Sequence, residues 1–169
     1  MVVDQYTKSL ATEYLKDGAL IKPFGSDVVW LLYVLNPGFA FGIRILPPIV
    51  LKLFALVAAL GLGYYLFTHW SQPRMQNLSL TFIMGGAIGN LIDRFRIGEV
   101  IDFISVDMPD FIMDRFPVFN VADSMVSIGV VLLILHTFFS GAVPKGDPVL
   151  VKTEQIATSS NDFEAKELN

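Results

Sequence analysis

The sequence predicts an all-α integral membrane bundle with a small β element and a loop outside the membrane. Of its 169 residues 53% are hydrophobic and only 17% are charged, and the mean hydropathy is +0.57. In water, a domain of this size would have to expose much of that apolar surface, so the composition indicates a lipid solvent. Apolar segments close to the length of a membrane span also recur along the chain.

Before these segments the chain is mixed in character. Residues 7–15 could form a short helix, and we expect no signal peptide before Asp4. Residues 28–35 form a Val-rich and aromatic run with Gly, Ser and Asp before it and Asn, Pro and Gly after it. This run is too short to cross a bilayer, so it is predicted to be a β-strand outside the membrane core.

Three apolar segments then approach or reach membrane-spanning length: residues 45–70, 78–95 and 120–139. Two adjacent prolines suit the first turn of the first segment, because their missing amide hydrogens would be unsatisfied there anyway. The second segment contains Gly85, Gly86 and Gly89, a spacing that lets another helix approach closely.

Residues 96–118 form a loop between the second and third segments, and it contains the apolar run EVIDFISV. We expect this loop to lie over the functional site. The membrane-embedded domain is predicted to cover residues 1–143. Residues 144–169 are polar and without periodicity, so they are predicted to be a disordered tail.

Polar side chains collect at the ends of the second and third segments that face this loop. Asn90 and Asp93 are three residues apart, as are Asn120 and Asp123, so each pair shares one face of its helix. Because both segments present their pairs toward the same loop, the pairs are expected to meet at one membrane surface. Ionisable groups at membrane depth are costly, and by default they indicate a functional site.

Paired carboxylates are the chemistry that this surface offers. Two of them in a partly dry site tend to share one proton, so that one acts as a base and the other as an acid. Such a pair suits peptide hydrolysis, because one takes a proton from the attacking water and the other delivers a proton. Spacing and composition leave Asp93, Asp102 and Asp123 all open as candidates.

Other interpretations also remain open from the residues alone. A membrane phosphotransferase could use aspartates to hold Mg²⁺ against a lipid phosphate. A proton-coupled transporter could use them as a relay, although it would need them along a path through the bilayer rather than at one face. Asp93 and Arg94 could form an interfacial ion pair, and Asn120 could simply cap a helix.

Five short blocks occur in chain order: D-Q-x-T-K at 4–8, N-P-G-F-A-F-G at 36–42, G-N-L-I-D-R at 89–94, V-I-D-F at 100–103 and F-N-V-A-D-S at 119–124. In this combination and order they resemble the bacterial lipoprotein signal peptidase family, also called signal peptidase II. The resemblance covers about residues 2–139.

The resemblance implies a four-helix aspartic peptidase that removes signal peptides from prolipoproteins by cutting before the diacylglyceryl-modified Cys. Asp102 and Asp123 match the catalytic pair of the family. Other motif residues match groups that support the pair, position the substrate or lie near the site: Asp4, Lys8, Asn36, Asn90, Asp93, Arg94 and Asn120.

The resemblance also implies a location and a set of partners. It places a multi-pass protein in the bacterial inner membrane, with the active site at the periplasmic or outer face and the tail in the cytoplasm. The distribution of basic residues does not decide this orientation by itself. We expect a monomer that acts on prolipoproteins among membrane lipids, with no nucleic-acid partner and neither cofactor nor metal.

Two features depart from the family pattern. Pro37 and Phe39 stand in the Asn36 block, where small or hydroxyl-bearing residues are commoner. Only three residues precede Asp4, where the family has a full apolar helix. Residues 1–15 are therefore expected to be the remnant of the first of four membrane helices, and an upstream apolar segment is expected to improve folding.

Overall fold

The computed structural model describes residues 1–38 and 47–140, except for the side chains of Pro48 and Leu51. Its elements, in chain order, are α1 (Val2–Leu15), β1 (Val29–Asn36), α2 (Pro48–Thr68), α3 (Arg74–Arg96), β2 (Val100–Val106) and α4 (Val121–Ser140). The chain divides into two compact units, 1–136 and 137–169, and the structure describes only residues 137–140 of the second. The predicted tail at 144–169 and Phe39 lie outside the described residues.

The three apolar segments form α2, α3 and α4, close to the predicted bounds. Among the described residues, α4 is the one helix long and apolar enough to cross a membrane by length and composition. Lys52–Thr68 of α2 is apolar but shorter than that criterion requires. The helix α3 is less apolar than the other two, because it carries arginines at both ends and Asp93 near its C-terminal end.

The predicted strand is confirmed as β1, but the segment between residues 96 and 118, which was predicted to be a loop, contains a second strand. β2 pairs antiparallel with β1, so that Val34 lies opposite Asp102, with an irregularity between Leu31 and Val34. The strand was missed because polar Asp102 and Ser105 occupy buried positions, which obscures its hydrophobic pattern.

The chain then returns along the edge of β2 opposite β1. Phe116 N–H donates to Val106 O at 2.8 Å, and Phe119 and Ile104 exchange two backbone hydrogen bonds of 2.8 and 2.9 Å. The segment before α4 is therefore attached to the sheet, and it delivers residue 120 beside β2.

The first turns of α1 bury polar side chains and expose apolar ones. The helix begins at Val2, earlier than the short helix predicted at 7–15. Asp4 and Lys8 are 0% and 2% exposed, whereas Val2 and Tyr6 are 76% and 65% exposed. A helix on the surface of a soluble protein has the reverse arrangement, so the first turns of α1 have the character of a helix in lipid.

The C-terminal end of α1 packs against the sheet. Ala11 and Leu15 form a buried cluster with Phe103 of β2, and Leu31 and Tyr33 of β1 pack against it. This cluster fixes α1 against the strand that carries Asp102, so the helix can position groups beneath the site.

Glycines set the distance between α3 and α4. A Cβ placed on Gly86 would collide with Ala122 O, and one on Gly129 would lie 2.6 Å from Ser79 O. A Cβ on Gly89 would lie 2.6 Å from Asp4 Oδ2, so this glycine admits α1 as well. The close helix approach predicted from the glycine spacing is confirmed.

A Gly86→Ala variant is expected to lose about 1–3 kcal/mol of stability, because the added methyl group forces α3 away from the backbone of α4. Gly61→Ala in α2 is the matched control, since a Cβ there meets nothing within 4 Å. Thermal unfolding in detergent measures both variants. Equal losses for the two would show that the close approach at Gly86 does not constrain the bundle.

Candidate active site

Asn120 and Asp123 form a capping box at the start of α4. Asn120 Oδ1 accepts a hydrogen bond from Asp123 N–H at 3.0 Å, and Asp123 Oδ2 accepts one from Asn120 N–H at 3.1 Å. The prediction that Asn120 could cap a helix is therefore confirmed. The side chain of Asn120 is fully buried and also contacts residues outside α4. Its Nδ2 lies 2.6 Å from Asp102 Oδ1 and 3.1 Å from Asn90 Oδ1.

Asparagine side-chain amides donate hydrogen bonds to the carboxylates of Asp102 and Asp123. Asn36 Nδ2, at the end of β1, donates to Asp102 Oδ2 at 2.8 Å, while Asn120 donates to the other oxygen. Asn90 Nδ2, on α3, donates to Asp123 Oδ1 at 2.8 Å. The two carboxylates come from a strand and a helix, and these amides fix their positions relative to each other.

Burial raises the pKa of Asp102 to about 6, from an ordinary value of 3.8. The hydrogen bond from Asn36 opposes this rise, the negative charge of Asp123 adds to it, and the hydrogen bond from Asn120 and the charge of Lys8 oppose it. Asp102 is only 2% exposed, so its charged form lacks most of its hydration. Its carboxyl group therefore holds a proton at a pH where an exposed aspartate has lost it.

Lys8 lies at the centre of a buried charge network beneath the carboxylates. Its Nζ lies 2.7 Å from Asp93 Oδ2 and 3.1 Å from Asp4 Oδ2, and it donates to Asn90 Oδ1 at 2.8 Å. All three charged groups are at most 2% exposed. The ammonium thus connects α1 to α3, and through Asn90 it connects to Asp123.

Backbone N–H groups also bind the buried carboxylates of Asp4 and Asp93. Asp4 Oδ1 accepts from Ala122 N–H at 2.9 Å, in the first turn of α4, where a negative charge is favoured. Asp93 Oδ2 accepts from Ile101 N–H at 3.2 Å. The network contains two aspartates and one lysine, so these hydrogen bonds stabilise the negative charge that Lys8 does not balance.

Gln5 also belongs to this network, although it was not predicted from the sequence. Its Nε2 lies 3.2 Å from Asp4 Oδ2, 3.0 Å from Asp93 Oδ1 and 3.1 Å from Gly89 O. Its place in the D-Q-x-T-K block, three residues before Lys8 and so on the same helix face, was the available signal.

Arg94 donates a hydrogen bond to the backbone just after β1, whereas its neighbour Asp93 pairs with Lys8. Arg94 Nη2 donates to Gly38 O at 3.0 Å, and Gly38 N–H in turn donates to Asn36 Oδ1 at 3.0 Å. Asp93 forms its ion pair with Lys8. Asp93 and Arg94, which could have formed an ion pair with each other, thus have different partners among the described residues.

A cavity of about 480 Å³ opens beside the carboxylates. Asp102 and Asp123 line it together, with Asn36, Asn90 and Arg94 around them. Most of the other lining residues are apolar: Val100, Phe116, Pro117, Val118, Phe119, Val126 and Ile128. Of the three candidate aspartates, only Asp93 is absent from the cavity lining, and it lies instead in the charge network.

Carboxylate pairs can also bind metal ions. Within residues 1–38 and 47–140, no three or more Asp, Glu, His or Cys side chains form a group that could hold a metal ion.

The buried Asp102 and the half-buried Asp123 lie beside a mostly apolar cavity, among helices with exposed apolar faces, and this arrangement fits the class of membrane-bound hydrolases. A model of the family described as signal peptidase (SPase) II matches residues 1–139. The lipoprotein signal peptidase of Chlorobaculum tepidum is 37% identical, over 79% of this chain and 86% of its own. That of Pelodictyon phaeoclathratiforme is 39% identical, over 86% and 90% of the respective chains.

A solved structure of a bacterial membrane enzyme, obtained by the in meso method at 2.3 Å resolution, has the same fold. It superposes with a TM-score of 0.75 at 29% identity, covering 86% of this chain and 87% of the other. The chain belongs to the signal peptidase II family, and it is a membrane peptidase. The predicted family is confirmed, and the phosphotransferase alternative has no support in these comparisons.

Proposed function

We propose that this peptidase removes signal peptides from diacylglyceryl-modified bacterial prolipoproteins, cutting before the modified Cys, with Asp102 and Asp123 as its catalytic pair. The observation that supports the pair is its geometry. Carboxylates from β2 and α4 line one cavity, and Asn120 binds them both. The substrate class follows from the name of the relatives, which are lipoprotein signal peptidases.

In the proposed reaction the two carboxyl groups share one proton. Asp102 carries it, since burial raises its pKa, and Asp123 takes a proton from a water molecule as the water oxygen attacks the scissile carbonyl carbon. Asp102 donates its proton to the carbonyl oxygen. When the intermediate collapses, the C–N bond breaks, the leaving nitrogen receives a proton from Asp123, and Asp102 recovers its own.

The remaining predicted residues support this pair. Asn36 and Asn90 each orient one carboxylate, and Arg94 fixes the chain that follows Asn36. Lys8 holds Asn90 in place from below. Asp4 and Asp93 complete the charge network that joins α1, α3 and α4, so their role is to support the pair rather than to react.

The mostly apolar cavity has a size suited to a short peptide segment, and the lipid chains of the substrate would stay in the bilayer. We place the chain in the bacterial inner membrane as a monomer, with α1 to α4 among the lipids and the cavity at the periplasmic or outer face. Exposed apolar side chains on α2 and α4, such as Phe54, Val57 and Val131, support the lipid contact.

Cleavage of a purified prolipoprotein in detergent tests this function. We expect the diacylglyceryl-modified substrate to yield a product that begins with the modified Cys, and we expect the unmodified substrate to be cut far more slowly. Mass spectrometry identifies both products, and a chelator is expected to leave the rate unchanged. Equal cleavage of both substrates, or a cut elsewhere, would refute the proposed substrate class.

An Asn36→Ala variant is expected to move the alkaline limb of the kcat/KM profile to higher pH. The Asn36 amide hydrogen bond opposes the rise in the pKa of Asp102, so its loss raises that pKa further above 3.8. Because Asp102 must hold its proton, activity then persists to higher pH. The profile of the parent should have its alkaline limb near pH 6 or above. A shift to lower pH in the variant would contradict the assignment of the proton to Asp102.

A further inference from the structure

Four consecutive residues before α4 form a wall of the cavity: Phe116, Pro117, Val118 and Phe119. Backbone hydrogen bonds attach this wall to β2 at both of its ends, through Phe116 N–H to Val106 O and through the paired bonds of Phe119 with Ile104. The two phenylalanine rings also meet edge to face, with centroids 5.7 Å apart. The wall is therefore tied to the strand that carries Asp102.

Arg115 immediately precedes this wall and is not among the residues that line the cavity. Its Nε donates to Ser105 Oγ at 2.9 Å, its Nη2 donates to Ser105 O at 3.2 Å, and its Nη1 donates to Asp27 O at 2.9 Å. Its Cζ lies 3.8 Å from the centroid of the Trp30 ring, and Asp107 Oδ1 lies 3.7 Å from Nη1. A planar, forked guanidinium can make these contacts together, whereas a lysine ammonium cannot.

The partners of Arg115 are themselves held in place. Ser105 is 3% exposed and lies on β2, three residues from Asp102. Trp30 Nε1 donates to Asp27 Oδ1 at 3.0 Å, and Lys22 Nζ pairs with the same oxygen and lies 5.3 Å from the Trp30 ring centroid. Arg115 therefore connects the start of the wall to Trp30 on β1 and to Ser105 on β2.

We propose that Arg115 is a positioning residue that sets the width of the cavity, and so the size of the substrate side chain accepted beside the scissile bond. The proposal rests on the peptidase function proposed above. Arg115 fixes the point at which Phe116 enters the wall, relative to the strand that carries Asp102. Without its contacts, that end of the wall can yield to a larger side chain while Asp102 and Asp123 keep their own hydrogen bonds.

Substrate selectivity tests this role. Diacylglyceryl-modified prolipoprotein peptides that differ only in the residue before the modified Cys, Ala or Leu, are cut by the parent, Arg115→Lys, Arg115→Gln and the control Arg96→Gln. Arg96 is exposed and is not among the residues that line the cavity. We expect the ratio of kcat/KM for Ala to that for Leu to fall about tenfold in both Arg115 variants, mainly through KM, and to stay at the parent value in Arg96→Gln. An unchanged ratio in folded, active Arg115 variants overturns the proposal.

Hydrogen exchange gives a second measurement that does not need catalysis. The amides of Phe116 and Phe119 are bonded to β2, so they should exchange faster in Arg115→Lys than in the parent, and at the parent rate in Arg96→Gln. Equal exchange in the parent and Arg115→Lys overturns the positioning role. If the parent cuts neither peptide, the proposed function fails, while the exchange result still decides whether Arg115 fixes the wall.

Discussion

A Lys8→Met variant is expected to lose about 3–5 kcal/mol of stability, because it leaves the buried carboxylates of Asp4 and Asp93 without their cation. The apolar side chain of methionine fills a similar volume, so the loss comes chiefly from the uncompensated charge. Asn90 also loses the ammonium that bonds its Oδ1, so cleavage activity should fall along with stability.

Thermal unfolding in detergent measures this effect, with Lys16→Met as the matched control. Lys16 is an exposed residue at the C-cap position of the same helix, and its replacement should change stability little. Adding Asp93→Asn to Lys8→Met should restore part of the loss, because one unpaired charge is removed. If Lys8→Met and Lys16→Met unfold at the same temperature, the buried network does not hold α1 to α3.

Elements with an unbroken hydrophobic pattern could be predicted from the sequence. The length of the Val-rich run predicted β1, and the length and high apolar content of residues 120–139 predicted α4. β2 was missed because Asp102 and Ser105 stand at buried positions, where long-range hydrogen bonds compensate for their polarity. The start of α1 was missed for a related reason, since the buried positions in its first two turns are occupied by Asp4 and Lys8 rather than by apolar residues.

Within a helix, spacing identified residues that share a face, but it gave no information about contacts between different elements. The three-residue spacing of Asn120 and Asp123 predicted a shared face, and the structure shows them bonded to each other. Nothing in the spacing could place Asp4 against Ala122 N–H or separate Asp93 from Asp102, because those contacts join distant segments. Gln5 was not identified either, because two of its three partners, Gly89 and Asp93, lie on α3.

Replacing either Asp102 or Asp123 with Asn is expected to lower kcat at least ~1000-fold, because each variant removes one of the two groups that exchange protons with water and substrate in the proposed mechanism. The double variant should be little worse than either single variant, since groups that act as a unit are not additive. Asn keeps the size of the side chain, and unfolding temperatures identify the variants that are folded.

Asp110→Asn is the matched control, because Asp110 is exposed and is not among the residues that line the cavity. It should retain the activity of the parent. Asp93→Asn provides a second comparison, since Asp93 lies in the charge network with Lys8. It should lose stability and retain measurable cleavage.

The most direct measurement is single-turnover cleavage of a diacylglyceryl-modified prolipoprotein, in detergent with chelator, by the parent, Asp102→Asn, Asp123→Asn and Asp110→Asn. The parent and Asp110→Asn are predicted to release the signal peptide at equal rates, and the other two folded variants are predicted to leave the substrate intact. Cleavage at the parent rate by either Asp102→Asn or Asp123→Asn would contradict the assignment of these two carboxylates as the catalytic pair.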